Sequence, residues 1–147
     1  RPAARLDTIR QLAAAGIPVG VMIAPIIPGL TDHEMPAILT AAAEAGAQSA
    51  SMIVLRLPHQ VKDLFADWLE THVPSKKARI LSRVREIRGG ELNVTSWRTR
   101  MRGEGIHADN IRNLFNVARR RAGLNPDLPD LDCSHFRRPG GTQLNLL

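Results

Sequence analysis

Two short and mainly apolar runs, each closed by a proline, constrain this chain most strongly. The first spans residues 18–24 and the second spans residues 49–55. Successive apolar positions are typical of a parallel strand that is covered on both faces, rather than of an alternating surface strand. A helical pattern over residues 33–45 separates the runs and ends at Gly46. Strand, helix and strand in this order predict a right-handed crossover between two adjacent parallel strands.

The segments on either side of this unit are helical. Apolar residues at helical spacing predict one helix over residues 3–15 and another over residues 61–70, the latter with Val61, Leu64, Phe65, Trp68 and Leu69 inward. A further helix restarts after Pro74, and a last one covers residues 107–122. Thr31 or Asp32 is expected to cap the crossover helix. Asp32 is favoured because Pro36 is tolerated only in a first turn.

These elements predict an α/β chain of two parallel strands followed by helices. Two parallel strands alone do not make a stable sheet, because both edges stay open. The chain is therefore expected to be the C-terminal portion of a larger α/β fold whose first strands lie outside this sequence. Its predicted parts are a helix–strand–helix–strand unit over 1–60, a helical extension over 61–123 and an extended tail over 124–147.

Positive charge is concentrated in the middle of the sequence. Residues 1–75 carry a net charge of −2, residues 76–121 carry +9 and residues 122–147 carry −1, which together give the net charge of +6. A basic segment of this kind attracts polyanions such as nucleic acids. A solvated helix face explains the same charges, and the sequence leaves both interpretations open.

Several classes of protein do not fit the composition. No apolar run approaches the roughly 18 residues that a membrane helix requires. The one cysteine, Cys133, has no partner for an internal disulfide, and the five histidines lack the spacing that places two metal ligands on one helix face. No metal site is therefore predicted on this chain. No secretory leader pattern opens the sequence, so a cytoplasmic protein is expected.

The ends of the predicted strands carry the candidate binding residues, because ligands of parallel α/β sheets bind at the carboxyl ends of the strands. Those ends are Ala24-Pro25-Ile26 and Leu55-Arg56-Leu57. The Arg56 guanidinium either pairs with a carboxylate or phosphate of a ligand or forms a structural salt bridge. Within this chain its expected partner is Asp32, Glu34 or solvent.

A glycine-containing loop is the second candidate. Gly103-Glu104-Gly105 lies beside Arg98, Arg100 and Arg102. Backbone amides and guanidinium groups both favour an anion, so the loop can form an anion cup. A connector before the last helix accounts for the same residues.

Several segments resemble one enzyme family. They are residues 17–34 (IPVGVMIAPIIPGLTDHE), 45–47 (AGA), 55–58 (LRLP), the helix over 64–69 and residues 99–105 (TRMRGEG). In this order they resemble the fifth strand, the following helix and the C-terminal half of radical S-adenosylmethionine (radical SAM) enzymes. More narrowly, they resemble the bacterial group related to spore photoproduct lyase.

The resemblance implies the C-terminal portion of a partial (β/α)6 TIM-like barrel. It also implies an enzyme in which a [4Fe–4S] cluster cleaves S-adenosylmethionine to a 5′-deoxyadenosyl radical, with the cofactors supplying the chemistry. The cluster motif CxxxCxxC is absent from this sequence. This chain alone is therefore expected to hold no cluster and to be inactive, and its partner is expected to be the N-terminal half of the barrel.

The resemblance places part of the S-adenosylmethionine wall on this chain. The implied cofactor-binding residues are Ala24, Pro25, Ile26, Leu55 and Arg56. The substrate is not indicated, although the basic segment 76–121 suits a nucleic acid, as in a lyase that repairs DNA. A small basic nucleic-acid-binding module without catalysis is the alternative function.

Overall fold

The computed structural model of the protein describes residues 1–97, 99–126, 130, 132–134 and 136–137. Within them the chain forms five α-helices and two strands, with a 3-10 turn (Asp32–Glu34) before the second helix. In chain order they are α1 (Pro2–Ala14), β1 (Gly20–Ile26), α2 (Met35–Glu44), β2 (Ser49–Val54), α3 (Val61–His72), α4 (Pro74–Glu86) and α5 (Gly105–Arg121). The predicted mixed α/β order is confirmed.

The two strands are adjacent and parallel, as the crossover predicted. Gly20 pairs with Ser49 at one end and Ile26 pairs with Val54 at the other, with a register irregularity between Ile23 and Ile26. β1 begins and ends two residues later than residues 18–24, so it includes Pro25. In the described sheet β1 has β2 as its one neighbour. A proline is tolerated there, because an edge strand does not need every backbone N–H in a ladder.

Helices cover one face of this sheet. Ile23, Ile26 and Val54 are buried together with Leu39 of α2 and Phe115 of α5. Side chains alternate between the two faces of a strand, so Met22 points the other way, and it is 59% exposed. Within the described residues, the chain itself leaves that second face uncovered.

A second apolar cluster lies beyond the carboxyl end of β2. Leu55 and Leu57 are buried there with Leu69 of α3 and with Ile80 and Val84 of α4. The predicted inward stripe of α3 is correct at Leu69 and at the partly buried Phe65, which packs against the same cluster, and wrong at Val61, Leu64 and Trp68.

Three apolar side chains of the predicted α3 stripe are exposed to solvent. Leu64 is 67% exposed, and Val61 and Trp68 are also exposed. α3 packs mainly against α4, which covers only one side of a helix whose apolar stripe is wider. The remaining apolar side of α3 faces solvent.

Thr31 and Asp32 do not cap the crossover helix, contrary to the prediction. The Asp32 carboxylate accepts hydrogen bonds from the amides of Gly29 (2.8 Å) and His33 (3.0 Å), and the Thr31 hydroxyl accepts one from the amide of Ile27 (2.9 Å). Both side chains therefore fix the turn that follows β1. The 3-10 turn between Thr31 and α2 moves the start of the α-helix away from them.

Gly46 lies against α1, where there is no room for a side chain. It follows α2 with φ +102°, and a Cβ placed there would lie 2.6 Å from the Cβ of Ala13. Gly46→Ala is therefore expected to lower the free energy of unfolding by about 1 kcal/mol or more beyond Gly16→Ala, because it adds overpacking to backbone strain. Gly16 is the matched control, with φ +75° and nothing within 4 Å of the added methyl. Equal thermal melts of the two variants would contradict this close approach.

The segment that follows α5 returns to the sheet at the start of β2. The amide of Asn125 donates to the carbonyl of Gln48 (2.8 Å), and the amide of Ala50 donates to the carbonyl of Asn125 (3.1 Å). Asn125 thereby forms an isolated parallel bridge with Ser49. Most of the predicted extended tail, 127–129, 131, 135 and 138–147, lies outside the described residues.

Candidate functional site

The carboxyl ends of the two strands are joined side by side. The amide of Leu55, just past β2, donates to the carbonyl of Ile26 at 2.9 Å. Ile26 and Leu55 are both buried, whereas Ala24 and Pro25 are exposed. Of these four residues, therefore, only Ala24 and Pro25 offer side-chain surface to a ligand at this end of the sheet.

Arg88 holds this end of the sheet together, and the sequence analysis did not identify it. It is 2% exposed, and its guanidinium donates to the carbonyls of Leu55 (2.6 Å), Val54 (3.3 Å) and Thr99 (2.9 Å). Burial, and then the nearby positive charge of Arg56, lower the pKa of Arg88. A buried cation thus links β2 to the loop over residues 88–104.

The same loop makes a second link to β2. The amide of Val54 donates to the carbonyl of Met101 at 3.1 Å. Arg56 lies just beyond, and one of its terminal nitrogens contacts the Met101 sulfur at 3.8 Å. Of the expected partners of Arg56, the two carboxylates were wrong: Asp32 binds backbone amides instead, and neither Asp32 nor Glu34 pairs with it. Solvent, the third alternative, remains open to the partly buried Arg56 side chain. The Arg56 Nε atom is buried and has no hydrogen-bond partner among the described residues.

A cavity of about 480 Å³ opens beside Arg56. Its walls come from the segment after β2, the start of α3, the end of α4 and the loop that follows α4. The lining residues are Arg56, Leu57, Pro58, His59, Lys62, Arg85, Glu91, Leu92, Asn93 and Thr95. The structure thus places Arg56 in one cavity wall with two further cations, Lys62 at the start of α3 and Arg85 near the end of α4.

The loop at Gly103 does not form the anion cup considered from the sequence. The amide of Gly103 donates to the carbonyl of Thr99 (2.7 Å), and the amide of Glu104 donates to the carbonyl of Ile87 (3.0 Å). These two amides are therefore already used, and Gly103 is buried against Ile87. The loop connects α4 to α5. Arg98 lies outside the described residues.

Some of the positive side chains in the basic segment 76–121 make contacts within the protein. Arg88 is buried, Lys77 pairs with Glu70, and Arg112 pairs with Asp109. One aromatic side chain of the segment is open to solvent: Trp97 is 82% exposed, and the Arg100 guanidinium lies 3.5 Å from the centre of its ring. Such a cation–aromatic pair presents a flat, positively charged surface.

Residues 1–97, 99–126 and the few described positions of the tail contain no group of three or more His, Cys, Asp or Glu side chains that could hold a metal ion. Cys133 is exposed. Across the same residues, no helix is both long and apolar enough to cross a membrane.

Comparison with known proteins finds relatives but no assigned function. Proteins named as uncharacterized in Mycobacterium bovis and in two strains of Mycobacterium tuberculosis are 35% identical to the chain over 104 residues. The matched region is 69% of this chain and 29% of each relative, so the chain spans less than a third of the length of these curated relatives. No family model and no solved structure matches the chain.

Proposed function

We propose that this chain forms the C-terminal wall of a partial β/α barrel in a radical SAM enzyme. The observation that carries the proposal is the one-sided sheet. Its helix-covered face is buried, its opposite face bears the exposed Met22, Ala24 and Ser51, and its carboxyl end adjoins a cationic cavity. In a barrel that opposite face lines the interior, and the carboxyl ends line the ligand site.

The residues of this chain do not fit an iron–sulfur cluster. Such a cluster needs several cysteine thiolates, and the sequence contains Cys133 alone. In the proposal, therefore, the cluster is bound by the N-terminal half of the barrel, which is the partner of this chain. A cytoplasmic location belongs to the same proposal, because oxidation damages exposed clusters and thiols.

The end of β1 fits one wall of an S-adenosylmethionine site. Ala24 and Pro25 present small, exposed apolar surface, which suits packing against an adenine ring. Ile26 and Leu55 stand behind them as buried support, and their backbone hydrogen bond fixes the end of the wall. When bound, S-adenosylmethionine supplies the organic radical that takes a hydrogen atom from the substrate. This chain's contribution is to position the cofactor and exclude water.

The test is cofactor cleavage by the complete polypeptide, purified without oxygen and reduced with dithionite. Formation of 5′-deoxyadenosine is expected. Ala24→Trp is expected to reduce it by tenfold or more with the iron content unchanged, since the indole would fill the space of the cofactor. Ala37→Trp, at an exposed position of α2, is the matched control and is expected to retain parental activity.

Two outcomes would contradict the proposal. One is a complete, anaerobically purified polypeptide that contains no iron and sulfide. The other is an Ala24→Trp variant that forms 5′-deoxyadenosine at the parental rate.

A basic nucleic-acid-binding module is the second candidate function. The stacked pair of Trp97 and Arg100 favours it, because an exposed ring backed by a guanidinium is a surface on which a base can stack. The iron and cleavage measurements, taken together with oligonucleotide binding, separate this function from the radical SAM proposal. A complete polypeptide that binds oligonucleotides but contains no iron and cleaves no S-adenosylmethionine has this second function.

A further inference from the structure

The charges around the 480 Å³ cavity are not balanced by the protein. Arg56, Lys62 and Arg85 line it together with one carboxylate, Glu91. None of these four side chains takes part in an ion pair among the described residues. Three cations and one anion leave a net charge of +2. The bonds of Arg88 to backbone carbonyls place another positive charge behind Arg56.

We propose that this cavity binds the phosphate group of a phosphorylated ligand between Arg56, Lys62 and Arg85. A phosphate monoester carries a charge of about −1.5 to −2 near neutral pH, which matches the excess in the cavity. A backbone phosphodiester carries one negative charge and balances part of the excess. Planar guanidinium groups bind phosphate oxygens in pairs, and a lysine ammonium adds a mobile point charge.

The rest of the cavity has room and polarity for the remainder of the ligand. Its volume lies within the roughly 300–1,000 Å³ of small-molecule sites and far exceeds what one phosphate needs. Leu57 and Leu92 supply apolar wall. Asn93 also lines the cavity and adds a polar side chain to its wall.

This site goes beyond the proposed radical chemistry, because it is built from side chains of this chain and requires no S-adenosylmethionine. The phosphate can belong to a free nucleotide or to a nucleic-acid backbone. The shared chemistry is the phosphate group, and two probes distinguish the sources.

The experiment measures binding to the complete polypeptide by calorimetry without S-adenosylmethionine. The probes are adenosine monophosphate, a ten-nucleotide single-stranded DNA and adenosine, which lacks the phosphate. One of the two phosphate probes is expected to bind at least tenfold more tightly than adenosine. Arg85→Gln and Lys62→Gln are each expected to weaken that binding by tenfold or more, as the loss of a charge-assisted bond predicts.

Arg79→Gln is the matched control. Arg79 is exposed on the same helix as Arg85, carries the same charge and does not line the cavity, so its loss is expected to change affinity less than twofold. Arg85 and Lys62 are also exposed, so these variants are expected to keep the parental melting temperature.

Three results would overturn the site. The first is that neither phosphate probe binds more tightly than adenosine. The second is that the Arg85→Gln and Lys62→Gln variants bind the probe as tightly as the parent. The third is that Arg79→Gln weakens binding as much as Arg85→Gln. The last result would indicate diffuse attraction to a basic surface. All three readouts are separate from cofactor cleavage, so this proposal and the radical SAM proposal fail independently.

Discussion

Arg88→Met is expected to lower the free energy of unfolding by roughly 3–5 kcal/mol, a large part of the stability of an ordinary domain. The substitution keeps much of the apolar stem but removes all three hydrogen bonds to Val54, Leu55 and Thr99. The two buried strand carbonyls then lose their charged donor at a cost of about 1–3 kcal/mol each, and the part-buried Thr99 carbonyl adds a smaller loss. Urea denaturation of the parent and the variant measures the difference.

A neighbouring arginine provides the control for this prediction. Arg79→Met removes the same charge from an exposed position of α4 and is expected to change stability by less than about 0.5 kcal/mol. Arg88→Lys should fall between the two, because one ammonium group does not reproduce the fork that spans two strand carbonyls and a loop carbonyl. An Arg88→Met protein as stable as the parent would show that the loop over 88–104 is not anchored through this side chain.

Met22→Asp is expected to have opposite effects in two settings. In the proposed barrel, further strands cover the face that bears Met22, so the new carboxylate would be buried without a partner at a cost of several kcal/mol. In the isolated 147-residue chain the same face is open, and self-association through its apolar surface is expected. There the added charge should reduce association.

The two settings are compared with the same pair of variants. Thermal melts are taken for the complete polypeptide, and light scattering is measured for the 147-residue chain. Ile106→Asp is the control, because Ile106 is 78% exposed and an acid near the start of α5 is electrostatically tolerated. A complete polypeptide that carries Met22→Asp and melts at the parental temperature would contradict a covered sheet face, and with it the barrel.

Local sequence patterns were sufficient to predict most of the fold. The two apolar runs, the helical pattern between them and the glycine after it defined a unit that the structure contains in that order. The error in helix capping arose because a turn within the same segment competed for the capping side chain. Asp32 has the chemistry of a helix cap, yet its carboxylate binds the amide of Gly29 in the preceding turn.

The candidate site was less predictable, because its parts come together only through packing. Arg56 could be placed at the end of β2, because it directly follows the apolar run of that strand in the sequence. Arg85 and Lys62 look like ordinary surface cations in their own helices, and no periodicity links them to Arg56. Arg88 offered one weak signal, a charge between the buried Ile87 and a helix-ending glycine pair.

The return of the chain to Ser49 also bears on how this protein folds. The start of β2, already paired with β1, gains a second bridge from Asn125, and α2 packs more extensively against α5 than against any other element, and both Asn125 and α5 come late in the sequence. Closing so long a loop costs entropy before any contact repays it, and folds dominated by distant contacts form slowly. During synthesis, the strands and the crossover helix therefore complete their packing only after the last helix has been made. A chaperone that shields apolar surface would bind the incompletely packed chain before the last helix is made.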